Sequence, residues 1–420
     1  MRLRHGGEAN PNNGDLDPMD ARTSLPSRLR RLARPATRLA ALALVAGAGS
    51  AHAVDYTGYF RAGPGLTSAD TSRACYGLNR GSAGMKYRLG NECDFYGEFQ
   101  LSQGFQKDGI DYRATLMVNH YTPATQDNPD KGLNIEQMFA EAKGFDIAPN
   151  ATFWIGKERG RRGDVHIVDT FFIEMHGVGA GFKNQPVGAG KLGVAFYKTD
   201  SDYPRPGNRI NVEYLDLPAN PDGKLNFFFT ATKGDFSGGK SGAGFTVRHD
   251  QAKLFGTGLS NTLWVQFAQG SAGLNANFGD LSAGSKAKSW RIVESFNGQS
   301  GPLGGQAIFL IASEKNGAGV KTDSASVGGR VSYALTKNFK LVSELGISQY
   351  KPEGGETARL TKFTFAPTLS LGPDFWSRPE FRAYVTTAKW NKAAGNVTGQ
   401  AALANKTSGT SYGAQVEWWF

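Results

Sequence analysis

The stretch Phe153–Asp169, FWIGKERGRRGDVHIVD, holds the chain's densest concentration of chemistry-bearing side chains. A strand-like run, residues 151–156, opens into Lys157, Glu158, Arg159, Arg161, Arg162, Asp164 and His166. Gly160 and Gly163 separate these charges, and an apolar run, Ile167–Ile173, follows, broken by Asp169 and Thr170. Two readings fit such a stretch. It is a solvated hairpin loop, or it is a charged loop folded into a pore, where its arginines face a solute. Covalent catalysis is not indicated. The histidines after residue 53 are His120, His166, His176 and His249, and neither a GxSxG nor an HExxH motif occurs. GVGAG at 177–181 precedes no helical pattern, so it is not a nucleotide loop. No enzyme, catalytic residue, metal site or cofactor is expected.

The elements that position this loop start after a leader. Arg28, Arg30, Arg31, Arg34 and Arg38 form a basic region, residues 39–47 a short apolar core, and Ala51-His52-Ala53 a cleavage site. Residues 1–53 therefore read as a signal peptide with a polar extension, translated from Met1 or Met19. Residues 54–420 read as one domain. The leader carries eight arginines and four acidic residues, so the net charge of +10 falls to +6 without it. That is too mild for a nucleic-acid partner. Cys75 and Cys93 are the two cysteines, and in an exported chain they are expected to form a disulfide.

No run of eighteen apolar residues follows Val54, which excludes a membrane helix. Alternation recurs instead. Residues 54–63, 94–102, 209–215, 224–232 and 361–371 each place apolar side chains on one face and polar ones on the other. The runs are about ten residues long, the length at which a tilted strand crosses an outer membrane. Gly, Asn, Asp and Pro clusters separate them, and Gly accounts for 55 of 420 residues. The pattern predicts an all-β, transmembrane antiparallel barrel of about 18 strands, which leaves no unpaired backbone in lipid. The last strand reads SYGAQVEWWF, with Trp418 and Phe420 on one face and Glu417 and Trp419 on the other.

With these residues in view, the chain resembles the maltoporin family of outer-membrane sugar channels. The resemblance is densest in VDYTGYFRAG and KYRLGNECDFYGEFQL, with Cys75 between them. It continues through FWIGK, GDVHIVD, FWSRP, AKW and GAQVEWW. The middle of the chain, roughly 200–350, matches in pattern alone. The resemblance implies a homotrimeric barrel in the outer membrane of a Gram-negative bacterium, in contact with lipid, that passes oligosaccharides such as maltose and maltodextrins. It also implies that the stretch opened on here is an inward-folded constriction loop. A row of aromatic rings forms a slide for the apolar faces of the sugars, and flanking charges bond their hydroxyls.

Tyr59, Tyr96, Trp376 and Trp419 match slide positions, and Trp264 is a weaker candidate for one. Arg61, Arg88, Glu98, Arg162 and Asp164 match the charged track, and Asp169 matches an acidic position of the constriction loop. Arginine suits this work because its planar fork stays charged and donates two bonds to neighbouring hydroxyls. Three departures stand out. Ala140 occupies a position where relatives carry a track arginine, and Phe171 one where they carry a tyrosine. Thr122–Asn134 contains no aromatic, where relatives supply a slide tryptophan to the neighbouring subunit. Arg159 and Arg161 are additional arginines, which keeps open an alternative: a general or anion-preferring porin on the same scaffold.

Overall fold

The structure, a computed structural model, describes residues 53–69, 72–78, 85–123, 132–199 and 205–420. The leader up to His52 and most of the aromatic-free second loop lie outside the described residues. One antiparallel sheet closes on itself. Of its 19 segments, Asp55–Ala62 and Gly65–Thr67 are two halves of one stave, so the barrel has 18. Closure pairs Tyr59 with Trp419 and Gly65 with Gly413, while the other edge of the first strand pairs with Phe95–Lys107. The expected alternation is realised. In Glu380–Trp390, Glu380, Arg382, Tyr384 and Thr386 are buried, while Phe381 and Val385 are exposed on the outside. Phe196, Phe229, Phe267, Phe309, Phe363 and Leu345 repeat this outward exposure around the wall. An apolar outside and a polar inside are what a barrel in lipid requires.

Short turns such as residues 108–109, 188–189 and 301–302 mark one end of the barrel, and long loops mark the other. Three of the long segments fold back into the lumen. Residues 85–92 cross the inside of the wall, where Tyr87 wedges over Gly328 and Gly346. These glycines face each other in register, and a β carbon on either would fall within 2.3 Å of the Tyr87 ring. The Leu89 amide donates to Glu344, and Thr364 donates to the Leu89 carbonyl. The Cys75–Cys93 disulfide closes this segment. The second segment is the charged stretch itself. The third, residues 271–287, meets it through the Glu174 amide, which donates to the Asn275 carbonyl at 2.7 Å.

The C-terminal residue closes the seam. The Phe420 amide and carbonyl both bond Gly58, at 3.1 and 3.0 Å, and its ring packs on Tyr56 and Trp418. Each such bond contributes about 1 kcal/mol net. Deleting Phe420 is expected to lower the assembled, heat-modifiable fraction in mild-detergent electrophoresis several-fold. Assembly at the wild-type level would show that the seam closes without it.

Candidate functional site

Strand register assembles an aromatic row along one side of the lumen. Tyr59 stands opposite Trp419, and Arg61 opposite both Tyr96 and Glu417. Tyr59 and Tyr96 have ring centroids 6.1 Å apart, and Trp419 and Trp376 6.3 Å. Trp376 comes from the turn between two strands. Phe375 meets its ring edge-on at 4.9 Å, and its indole N–H donates to Asn297 at 3.1 Å. Three rings are backed by guanidinium groups. Arg378 lies 4.1 Å over Trp419, Arg61 5.1 Å over Tyr96 and Arg88 5.7 Å over Tyr59. A cation over a ring face is favourable, and it fixes the ring's tilt. Trp264 does not join the row. It is 3 % exposed, with Phe172 of the inward loop packed on it at 5.2 Å.

Two of the track arginines, Arg61 and Arg88, are bound to carboxylates. Arg61 holds Asp94 at 2.6 Å, Glu92 at 3.0 Å and Asp169 at 3.1 Å. Arg88 holds Glu92 at 2.7 Å and Glu417 at 3.1 Å, and it donates to the Tyr59 hydroxyl. Glu417 also takes Arg378 at 3.0 Å and Arg382 at 2.5 Å. A buried charge is tolerable only when it is paired and bonded in this way. The carboxylates Glu92, Asp94 and Glu417 and the cations Arg378, Arg382 and Lys86 were absent from the sequence-derived site. Lumen-facing parity is the signal for Glu417 and Arg382, whereas Arg378 lies in the turn before Glu380–Trp390. Glu92, Asp94 and Lys86 lie outside any strand, and parity does not reach them.

The charged stretch spans the lumen as a small antiparallel pair, Arg162–Val165 with Thr170–Glu174, around a 3-10 turn at His166–Val168. Val165, Ile167, Val168, Phe172 and Ile173 are buried against the wall. The Arg88 amide donates to the Ile167 carbonyl, and the Ile167 amide to Gln306. Asp169 turns in the left-handed region and accepts from Lys86 at 3.0 Å and from Arg61. Burial alone would raise its carboxyl pKa, but Arg88, Lys86 and Arg61 hold it well below the usual range.

His166 sits edge-on to Trp376 and Trp419, with ring centroids at 5.2 and 5.6 Å. Arg88 faces its Nδ1 at 3.3 Å, while Nε2 lies 3.7 Å from Glu417 and 3.3 Å from Arg378. Each ring nitrogen thus faces a guanidinium, and Nε2 also lies near a carboxylate. Burial, opposed by Glu417 and reinforced by Arg88, lowers its pKa from 6.5 to about 3.

The loop arginines differ from one another. Arg159 holds Glu98 at 2.6 Å and Glu136 at 3.0 Å, and Tyr96 donates to the same Glu98 oxygen at 2.6 Å. Arg161 grips Glu213 at 2.9 Å. Arg162 has no ion pair among the described residues; it stacks 4.0 Å over Phe171. Asp164, exposed near it, likewise has none. Ala140 lies on the outward face, paired with the exposed Ile155, so the lumen loses no arginine at that position. A register shift at Met117/Val118, opposite Ile135–Gln137, brings both Glu136 and Gln137 to the inside.

The LamB porin family matches residues 54–420. Solved structures of similar form include OccK3 (OpdO) of Pseudomonas aeruginosa, 10% identical, covering 87% of this chain and 95% of that one at a TM-score of 0.49. The anion-selective porin of Comamonas acidovorans is 13% identical over 88% of this chain and 100% of its own, at 0.43. OmpT of Vibrio cholerae in its trimer form is 8% identical over 87% and 99%, at 0.43. The family match takes in every stave of the barrel and the inward loop that narrows it, and the chain belongs to the LamB porin family, as a porin channel of the Gram-negative outer membrane.

Proposed function

We propose that the channel carries oligosaccharides, maltose and maltodextrins or related sugars, by facilitated diffusion along the aromatic row. The single observation that supports this most is the lumenal sequence Tyr96, Tyr59, Trp419, Trp376, three of whose rings rest on arginines. A simple ion filter has no need of rings on a water-lined wall. Sugar rings have an apolar face of C–H groups, and hydroxyls at the ring edge reach the polar groups beside the row. Each such bond replaces one to water, so gains of about 1 kcal/mol or less keep release fast. A homotrimer with its apolar outer face in lipid, exported by the leader at residues 1–53, completes the proposal. Single-channel recording tests it. Maltodextrins or sucrose should block ion current in a concentration-dependent way, and a channel that no saccharide blocks would be a general porin.

Arg162 gives a second test of the constriction. A unit charge about 5 Å from an ion in water is worth roughly 0.8 kcal/mol, about fourfold in occupancy. Arg162→Gln is expected to move the reversal potential in a salt gradient toward cation preference by about that ratio, and with Arg159 and Arg161 also neutralised the shift should grow. An unchanged potential would place the loop outside the conducting path.

A further inference from the structure

We propose that the outer wall carries a docking site for a phosphate-bearing lipid headgroup, at the long-loop end of three neighbouring strands, Lys288–Ser300, Leu303–Lys315 and Lys321–Ala334. The site is a row of lysines. Strand register sets Lys288 opposite Lys315, and Lys315 opposite Lys321. All three are exposed. They share the outward parity of Trp290, Phe309 and Val327, which are exposed on the lipid side of the same strands. Neighbouring strands lie about 4.8 Å apart, so the row spans about 10 Å.

Like charges directly opposite one another on a sheet are destabilising, and the protein does little to offset them here. Lys321 pairs with Asp323 at 2.9 Å, and its amide donates to Glu353 at 3.1 Å. Lys288 and Lys315 have no ion pair among the described residues. Glu314, next to Lys315 in sequence, faces the lumen, where it lines a cavity together with Arg291. Lys351, opposite Asp323, adds a fourth cation to the same outward face. The row therefore keeps an excess of positive charge, which a bound anion would offset.

Charge and position name the guest. Long loops mark the extracellular end of an outer-membrane barrel and short turns the periplasmic end. Lys288 lies two residues from Trp290 on the same face, about 7 Å along the strand toward the long-loop rim. Aromatic rings on the outer wall mark the boundary between lipid and water, so the lysines stand at the level of the outer-leaflet headgroups. At the short-turn end of the same strands the outward row is Ser300, Leu303 and Tyr333, in register and uncharged. The lysine charge is thus confined to one leaflet. A free anion would meet the lysines alone, whereas a lipid also lays its acyl chains on the apolar wall below them, at Trp290, Phe309 and Val327. Ammonium groups suit phosphate, as point charges with three donors each. Neither the row nor its guest depends on the sugar path.

The test is binding of lipid A, a phosphorylated glycolipid, and of its dephosphorylated form to the assembled porin in mild detergent, read by native mass spectrometry. It compares wild type, Lys288→Gln with Lys315→Gln, and Lys198→Gln with Lys233→Gln. The last pair removes equal charge elsewhere on the rim, where Lys198 is already paired with Asp235. A lysine beside an anionic lipid surface contributes about fivefold in affinity. Loss of Lys288 and Lys315 together is therefore expected to weaken lipid A binding about twentyfold, and the other pair is expected to change little. Dephosphorylated lipid A should bind wild type weakly, and excess inorganic phosphate should not displace lipid A. The lipid comparison uses wild type alone, so it decides the matter even if a variant assembles poorly. Wild-type binding by the Lys288 and Lys315 variant, or equal binding of the dephosphorylated lipid, would overturn the site. Equal loss in the Lys198 and Lys233 variant would replace it with a diffuse field, and displacement by inorganic phosphate would replace the lipid with a free anion.

Discussion

Acidification from pH 6.5 to 4.5 is expected to loosen the constriction loop by roughly 2–3 kcal/mol, through His166. Docked, the imidazole stays neutral down to about pH 3, because burial lowers its pKa and the ring sits between Arg88 and Arg378, with Arg330 also near. Glu417 opposes the shift without reversing it. Undocked, the ring has its ordinary value of 6.5. Between the two values the released loop binds a proton that the docked loop does not. Docking is therefore at full strength above pH 6.5 and declines as pH falls toward 3. Asp169 acts in the same direction at lower pH. Its docked carboxyl titrates below the ordinary range, so its contribution is present above the unfolded value and is lost as pH falls further. Amide exchange across residues 164–172, corrected for intrinsic rates, should show protection falling steeply over this window. His166→Gln should remove most of the pH dependence. Equal protection at pH 7 and 4.5 would refute the assignment.

Much of the barrel is legible in the sequence because period two is a local property. Tyr59, Tyr96, Trp419 and Arg382 declare the lumen by their neighbours, and the structure puts each inside. What is not legible depends on contacts between distant segments. Nothing near Tyr87 announces Gly328 and Gly346, which receive it across the lumen. Residues 271–287 carry no charge run like that of the constriction loop, yet they fold inward and meet Glu174. Trp264 has lumen parity, and parity cannot reveal that Phe172 lies on its face. Ala140 shows the converse. An irregular register near Glu136 breaks the simple alternation, and in a pleated strand a shift of one residue exchanges the two faces. Ion-pair partners are the least legible, because Arg61 and Arg88 meet carboxylates from the first inward segment, the constriction loop and the last strand.

Replacing Trp376 or Trp419 by alanine is expected to weaken saccharide block about five- to thirtyfold. The rings present flat apolar surface toward the lumen; Trp376 is 39 % exposed, and Trp419 is backed by Arg378 on one side. If a sugar covers on the order of 40–80 Å² of one ring, removing it at about 25 cal/mol per Å² costs roughly 1–2 kcal/mol. At about 1.4 kcal/mol per tenfold, that gives the stated range. The two substitutions should differ in their side effects. Trp419→Ala exposes the Arg378 guanidinium, which remains paired with Glu417 and Glu380, so the wall keeps its charge balance. Trp376→Ala frees the Asn297 carboxamide and removes one of the two rings that flank His166, so it should also shift the loop's acid response. Ion conductance should hold or rise in both, because the pore widens. The measurement is the concentration of maltohexaose that halves single-channel current, in wild type and in each variant at pH 7. Block that persists unweakened in both variants would remove the tryptophans from the sugar path while leaving the porin fold untouched.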